Sequence, residues 1–447
     1  MRLKTFWWLM AALVAVRLAL MATVPVFEPS EARYAAISAN MARSGDFVIP
    51  RFTHNFEYQS FDGKPPLVFQ AGGLFCKAFG VCEFAVRLFP FLSAVLLLLI
   101  LYRTVTRFAD AATGRIAVLV CASCTAFYAA AGISMTDMTL TCCVAGALLC
   151  YRCFLDGFAW RDAAGVAVLL GAGMITKGPV SLVMFGLPVL VDAFVNRRWR
   201  GIFNGKWLAV APLFLLVAVP WFVLVEQRNP GAVWYFFYNE NFLRFVSHDY
   251  GDKYGAGREA FRGVSVLWTL VATLPWSLLP FFDLFQKLAH SRTRALAHSH
   301  TCSPQQSNNF SFSFRSFEAL SLLSIVGFWC LTSRVLVYYL FPVIPLFAAG
   351  LALSARRERL ERLAVPCVGV SLLVLVVGLV GGALFSEKMQ GARTEFSPYE
   401  NHYAYEFYHG RKPDAELMPL RKAWQARQEA RKARKAAEAA ARKAAGK

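Results

Sequence analysis

The chain has 447 residues, 57% of them hydrophobic and only 17% charged, with a mean hydropathy of +0.44. That balance excludes an ordinary soluble core and points to a bilayer as the solvent for most of the chain. The net charge of +19 comes with no nucleic-acid motif and no interleaved aromatics, so nucleic acid is excluded as the partner.

Apolar windows long enough to cross about 30 Å of hydrocarbon recur along the chain. They fall near 5–27, 86–102, 116–135, 138–155, 163–176, 178–195, 207–226, 263–285, 316–331, 335–354 and 363–385. The expected fold is an all-α polytopic membrane protein of roughly eleven transmembrane helices (9–13), with a helical first outer loop. The first window follows "MRLK" and has no small-residue cleavage site after it, so it reads as a retained span. A membrane domain is expected over 1–385, a short post-membrane region over 386–420 and a basic tail over 421–447.

Lys and Arg set the orientation. Arg2 and Lys4, Arg103 with Arg107 and Arg115, Arg152 with Arg161, "NRRWR" (196–200), "SRTR" (291–294) and "ARRERLER" (355–362) fall on alternate connections, the cytoplasmic ones. The loop 28–66, "SMTDM" (134–138), "TKGP" (176–179), the loop 227–262 and "TSR" (332–334) then share the opposite face. Chemistry-bearing residues gather there.

In the first outer loop, Pro29 and Ser30 are helix-starting residues and Gly45 is a stop. Tyr34, Ile37 and Met41 make an apolar stripe on the helix between them, which suits a helix lying in the membrane interface. Glu28 and Glu31 sit at its start, followed by Arg33. One acid there would merely favour the helix dipole; two acids beside Arg33 and Tyr34 suggest chemistry. Downstream, "DGKPPL" (62–67) places Asp62 and Lys64 in a turn stiffened by two prolines. A cation pinned at the membrane surface suits the phosphate of a lipid carrier, with snorkelling as the plainer reading.

Cysteine spacing is less informative. Cys121-x-x-Cys124 and Cys150-x-x-Cys153 imitate zinc-knuckle spacing but lie inside predicted spans, where Cys packs as a small hydrophobe. Cys76 and Cys82 lie close enough in sequence to bridge in an oxidising compartment. The tail 421–447 carries ten basic residues against two acidic, is rich in Ala and has no apolar stripe. It reads as a solvated helix, with attachment to anionic lipid as the functional alternative. The stretch "PYENHYAYEFYHG" (398–410) is too short for a globular domain but suits a cover over the site or a contact to the acceptor.

Taken in order, "EPSEARYAAISANMARSGDFVIPRF", "FDGKPPLVFQAGGLFCKAFGVCEFAVRLFP", "SMTDMTL", "MITKGPVSLV", "PWFVLVEQRNPGAVWYFFYNENFLRF" and "YYLFPVIPLFA" resemble bacterial type C glycosyltransferases related to the lipid A aminoarabinose transferase and the protein O-mannosyltransferases. The resemblance implies a polyprenyl-phosphate-linked sugar donor, a lipid A, glycan or protein acceptor, and an active site facing the periplasm from the bacterial inner membrane. It implies Lys64 and Arg244 as ligands of the carrier phosphate, with Tyr339 or Tyr338 a third. Glu31 matches one member of the acidic pair and Asp137 the second-loop acid, with Glu28 as a substitute acid. Arg33, Tyr34, Asp62, Lys177, Glu240 and Arg334 are supporting residues, and Arg87 is a brace expected to pair with Glu83. The sequence requires no cofactor and leaves a divalent metal open. Ser30 stands where the family has an aspartate, and Val335 and Val337 replace its Lys and Pro. Two other readings are a transporter or flippase of lipid-linked sugars and an inactive lipid-binding relative.

Overall fold

The computed structural model describes residues 2–243, 254, 260–279, 316–332, 335–385, 396 and 402–444. Helices dominate. They begin with α1 (Leu3–Thr23), α2 (Ser30–Ser44), α3 (Leu67–Phe79), α4 (Glu83–Phe108), α5 (Ala111–Ala122), α6 (Thr125–Ala130), α7 (Thr136–Gly157), α8 (Trp160–Lys177) and α9 (Val180–Asn196). Further helices span Lys206–Arg228, Val264–Ala272, Phe317–Cys330, Val343–Ser354, Arg357–Phe385, His402–His409 and Asp414–Ala444. Among the described residues five helices are long and apolar enough to cross a membrane: α1, α4, α7, Lys206–Arg228 and Arg357–Gly381.

The most enclosed of these is α7, packed against α4, α8 and α9. Its thiols Cys142, Cys143, Cys150 and Cys153 are buried and free. Leucine, valine and tryptophan instead crowd the outward faces of the peripheral helices, as at Trp8, Leu99, Leu208 and Leu373. Apolar surface of that extent is stable against hydrocarbon and not against water.

Three local departures from the sequence reading have physical causes. The window 116–135 is not one helix but breaks between α5 and α6. Ser123 turns its hydroxyl back to Leu119 O at 2.6 Å and receives Trp276 Nε1 at 2.8 Å, while Ser371 Oγ donates to Ser123 O at 2.5 Å. Ser371, on a neighbouring helix, thus satisfies a carbonyl that the break exposes. The window 335–354 likewise divides into a short 3-10 turn, Val337–Leu340, and the helix from Val343.

The third departure is in the first outer loop, which adds an antiparallel hairpin to the helical architecture. Strand β1 (Arg51–His54) pairs with β2 (Glu57–Ser60), Arg51 opposite Ser60 and His54 opposite Glu57. Asn55 and Phe56 make the two-residue turn with φ of 50° and 63°, the left-handed conformation that tight hairpins demand.

Helix α2 starts at Ser30 and stops at Gly45, whose φ of 74° ends it. The apolar stripe, expected to face a membrane interface, is enclosed by protein. Ala32, Ala35, Ala36, Ile37 and Ala39 are fully buried, because α3 packs on one side and the helix His402–His409 on another. Gly72 and Gly73 permit the approach of α3: a Cβ on Gly72 would meet Ser38 Oγ at 2.7 Å.

The helix His402–His409 is therefore packed onto the loop 28–66. Glu406 is buried and accepts from Asn40 Nδ2 at 2.7 Å and Thr53 N at 3.0 Å. Arg43 donates to the carbonyls of Glu406 and Phe407 at 3.0 and 2.7 Å, capping the short helix with a cation. The basic tail belongs to the long helix Asp414–Ala444, with Leu417 buried and Arg421 paired to Glu57 of β2 at 3.3 Å. Cys76 and Cys82 are free thiols, not a bridge.

Candidate functional site

Two carboxylates open the first outer loop and both are committed to structure. Glu31 and Arg87 are each about 2% exposed. Arg87 donates Nε to Glu31 Oε1 at 2.8 Å and Nη2 to Oε2 at 2.9 Å, and its other N–H bonds go to Val24 O (2.6 Å), Pro25 O (3.0 Å) and Met21 O (3.2 Å). Every donor on the guanidinium is used. Glu31 also accepts from Phe27 N at 2.9 Å and Ser134 N at 3.0 Å, so each of its oxygens holds two donors. The brace expected between Arg87 and Glu83 is thus made by Glu31; Glu83 accepts from Tyr408 OH at 3.0 Å. The pair joins the end of α1, the start of α2, the Ser134 turn and α4 in one knot.

Glu28 accepts from Ala404 N at 2.6 Å, capping the start of the helix His402–His409. Burial pushes its carboxyl up to about 7, against the opposing pull of the Ala404 and Tyr403 N–H groups and of Arg33. Arg33 lies 5.5–5.9 Å from the ring centres of Tyr34, Phe61 and Tyr403. His54 Nδ1 is 2.8 Å from Tyr403 OH. Burial, with His54 and Arg33 close by, pushes His402 down to about 4, so it is neutral at physiological pH.

The remaining charged residues converge. Asp137 stands in the first turn of α7 and Lys177 in the last turn of α8, and antiparallel packing of these helices brings Lys177 Nζ to 2.6 Å from Asp137 Oδ1. Lys177 Nζ also sits 4.5 Å from the ring centre of Tyr339 and 5.6 Å from that of Tyr338. Lys64 Nζ lies 3.8 Å from Glu240 Oε2, and Glu240 accepts from Tyr235 OH at 3.3 Å. Lys64, Lys177, Glu240, Asn241, Trp329 and Tyr339 line one cavity of about 50 Å³. Asp137 and Tyr338 line a second, apolar groove of about 560 Å³ with Met138, Leu274, Phe341 and Val374. The Asp137–Lys177 pair therefore stands between a small pocket lined by two ion-paired lysines and a large greasy one. Such a pairing can hold an anion on one side and orient a neutral group on the other.

The turn carrying Lys64 is clamped by residues the sequence reading did not single out. Asn229 Nδ2 donates to Asp62 Oδ1 at 3.0 Å and to Ser60 Oγ at 3.2 Å. Tyr254 OH accepts from Asp62 N at 3.0 Å and donates to Ser60 O at 3.2 Å. Its ring presses on Gly63, where a Cβ would come within 2.9 Å of it. Nothing in the local pattern around Asn229 or Tyr254 marks them; they matter through contacts some 170–190 residues away. Of the expected site residues, Lys64, Lys177, Glu240 and Tyr339 meet at one cavity and Asp137 and Tyr338 at the next. Glu28 and Glu31 line neither. Arg244 and Arg334 lie outside the described residues.

A family model described as dolichyl-phosphate-mannose-protein mannosyltransferase matches residues 63–223. The undecaprenyl phosphate-alpha-4-amino-4-deoxy-L-arabinose arabinosyl transferase of Edwardsiella ictaluri is 28% identical over 261 residues, covering 57% of this chain and 45% of the relative. The enzyme of the same name from Serratia proteamaculans is 29% identical over 293 residues, covering 62% and 50%. The chain thus spans about half the length of these curated relatives. Among solved structures, ArnT from Cupriavidus metallidurans bound to undecaprenyl phosphate superposes with a TM-score of 0.63 at 22% identity, over 91% of this chain and 70% of that one. Its apo state gives 0.63 at 23%, over 86% and 67%. The chain resembles the ArnT-like undecaprenyl-phosphate sugar transferases and shares their polytopic helical fold.

Proposed function

We propose that this protein is an integral-membrane glycosyltransferase that moves a sugar from a polyprenyl-phosphate donor to a lipid A, glycan or protein acceptor. The site would face the periplasm from the bacterial inner membrane, in a membrane domain (1–385) of roughly eleven spans followed by the segment 386–420 and the tail 421–447. The observation that carries this reading is the juxtaposition of a pocket holding Lys64 and Lys177 with an apolar groove of about 560 Å³ across the Asp137–Lys177 pair. A phosphate on a long hydrocarbon is the ligand chemistry that uses both.

In this scheme Lys64 and Lys177 stabilise the charge that grows on the phosphate as the bond from the sugar C1 to the phosphate oxygen breaks. The acceptor oxygen bonds to C1 from the opposite face, inverting it. A hydroxyl acceptor gives its proton to Asp137, while an anionic phosphate acceptor needs no base. Glu31 and Glu28 act as positioning residues, and the carboxylate chemistry passes to Asp137. Arg244 and Arg334, supplied by the family resemblance, would add to the cationic side.

The test is a transfer assay with the purified full chain in detergent, polyprenyl-phosphate sugars, and lipid A or peptide acceptors. Lys64→Ala is expected to lower kcat/KM by about 100-fold or more, the effect of removing one preorganised ligand of a developing anion. Bound carrier lipid without transfer from any donor would leave a lipid-binding scaffold instead, and sugar-lipid flux without chemistry a flippase.

A softer effect is expected at the clamp. Tyr254→Phe and Asn229→Ala each remove hydrogen bonds that hold the Lys64 turn, at about 0.5–1.5 kcal/mol per bond. Each variant loses two bonds, so donor kcat/KM should fall by up to about 5- to 150-fold, in protein that is still folded by melting temperature. An unchanged kcat/KM in both folded variants would show that these residues do not act through Lys64.

A further inference from the structure

A further cavity lies at the opposite, Arg-rich end of the helices and plays no part in the scheme above. It is an apolar groove of about 410 Å³ between α1, α4 and α5, lined by Phe6, Trp7, Leu98, Tyr102 and Val118 among others. Along α1 it runs from Leu3 to Arg17, which is about 20 Å at the helical rise per residue and comparable with the depth of one leaflet. Trp7 at its mouth and Trp8 beside it are 61% and 77% exposed, the placement of aromatic side chains at a membrane–water boundary.

Charge distinguishes this groove from the other apolar furrows. Three arginines cluster at the α4–α5 connection. Arg107 is paired with Asp156 at 2.8 Å and Asp162 at 3.3 Å, and Arg103 with Asp162. The third, Arg115, lines the groove, and among the described residues it makes no hydrogen bond or ion pair. Its Nε is shut off from solvent with no partner. Arg17, at the far end of the groove, is held by the protein through Nη2, which donates to Ala129 O at 2.7 Å, and the absence of a side chain at Gly132 makes room for its guanidinium, although its Nε, like that of Arg115, has no partner among the described residues.

An unspent guanidinium at the mouth of an apolar furrow calls for an anion that carries a hydrocarbon chain. We propose that this groove binds one anionic phospholipid of the inner leaflet, its phosphate on Arg115 and one acyl chain between α1 and α4. Such a lipid would anchor α1, the helix whose far end is tied to the outer loop through Arg87.

The experiment is native mass spectrometry of the full chain in detergent, titrated with phosphatidylglycerol or with zwitterionic phosphatidylcholine. One phosphatidylglycerol should be retained per chain in preference to phosphatidylcholine. Arg115→Gln should reduce that retention at least about tenfold, as loss of a hydrogen bond to a charged group does. Leu98→Trp, which fills the groove and leaves the charge in place, should abolish retention of both lipids. Melting temperature and elution volume report whether each variant is folded, and the two variants alter the protein in unrelated ways. Equal retention of the two lipids, or retention unchanged in both folded variants, would overturn the proposal.

Discussion

Glu31→Ala is expected to destabilise the protein by about 3–5 kcal/mol, the usual cost of leaving a buried charge without its partner. Arg87 would keep its carbonyl contacts to Val24, Pro25 and Met21 but lose both bonds to the carboxylate. Phe27 N and Ser134 N would lose their acceptor as well. The readout is the apparent melting temperature in detergent, with protein recovery after size exclusion. Arg87→Met alone should also be severe, because it strands the same carboxylate and three carbonyls. The double variant should be less harmful than the sum of the two singles, since neither partner is then left charged in isolation. Glu31→Gln separates this role from catalysis. If Glu31 were a general base, Glu31→Gln would melt like the wild type and lose kcat. If it is a brace, the melting temperature falls because an amide N–H now faces donors, and the activity of whatever protein stays folded is largely kept.

The parts of this arrangement that were legible in the sequence are the local ones. Ser30 and Gly45 mark the ends of α2 because a proline just before the first turn and a left-handed glycine after the last are local signals, and two prolines announce the rigid turn at Lys64. The hairpin 51–60 had a weaker signal, an Asn in a tight turn between short alternating segments, which the greasy surroundings hide. Hydropathy could not show the break at Ser123, because the residues that bond to it, Trp276 in a turn and Ser371 on the helix Arg357–Phe385, lie far away in the chain. Arg87 illustrates the general difficulty. A carboxylate four residues away looked like its partner on helical spacing, yet the fold brings Glu31, 56 residues distant, into a fork-to-fork pair. The docking of His402–His409 on α2 was equally hidden, since its bonds connect residues more than 350 apart. Sequence spacing reads contacts along one helix. The site is made of contacts between helices.

Asp137→Asn is expected to lower kcat by about 10²- to 10⁴-fold with a hydroxyl acceptor, the range for loss of a positioned general base. Asp137 Oδ1 is held by Lys177 at 2.6 Å, while Oδ2 makes no hydrogen bond among the described residues, and Asp137 lines the large groove. One oxygen is fixed and the other is available to an incoming O–H. The amide keeps the shape and can still meet a neighbour through its oxygen, but it cannot take the proton. The acceptor supplies the control. A phosphate acceptor arrives already ionised, so its transfer should lose far less than transfer to a sugar or side-chain hydroxyl in the same variant. Lys177→Met should behave differently, weakening both acceptor types, because it removes a cation from the donor pocket and also leaves Asp137 unpaired. Steady-state kinetics with the two acceptors, run on wild type and both variants, gives the answer. An equal, large loss with both acceptors in Asp137→Asn would mean that Asp137 serves only to hold Lys177 over the donor phosphate, and that proton removal belongs to a group outside this pair.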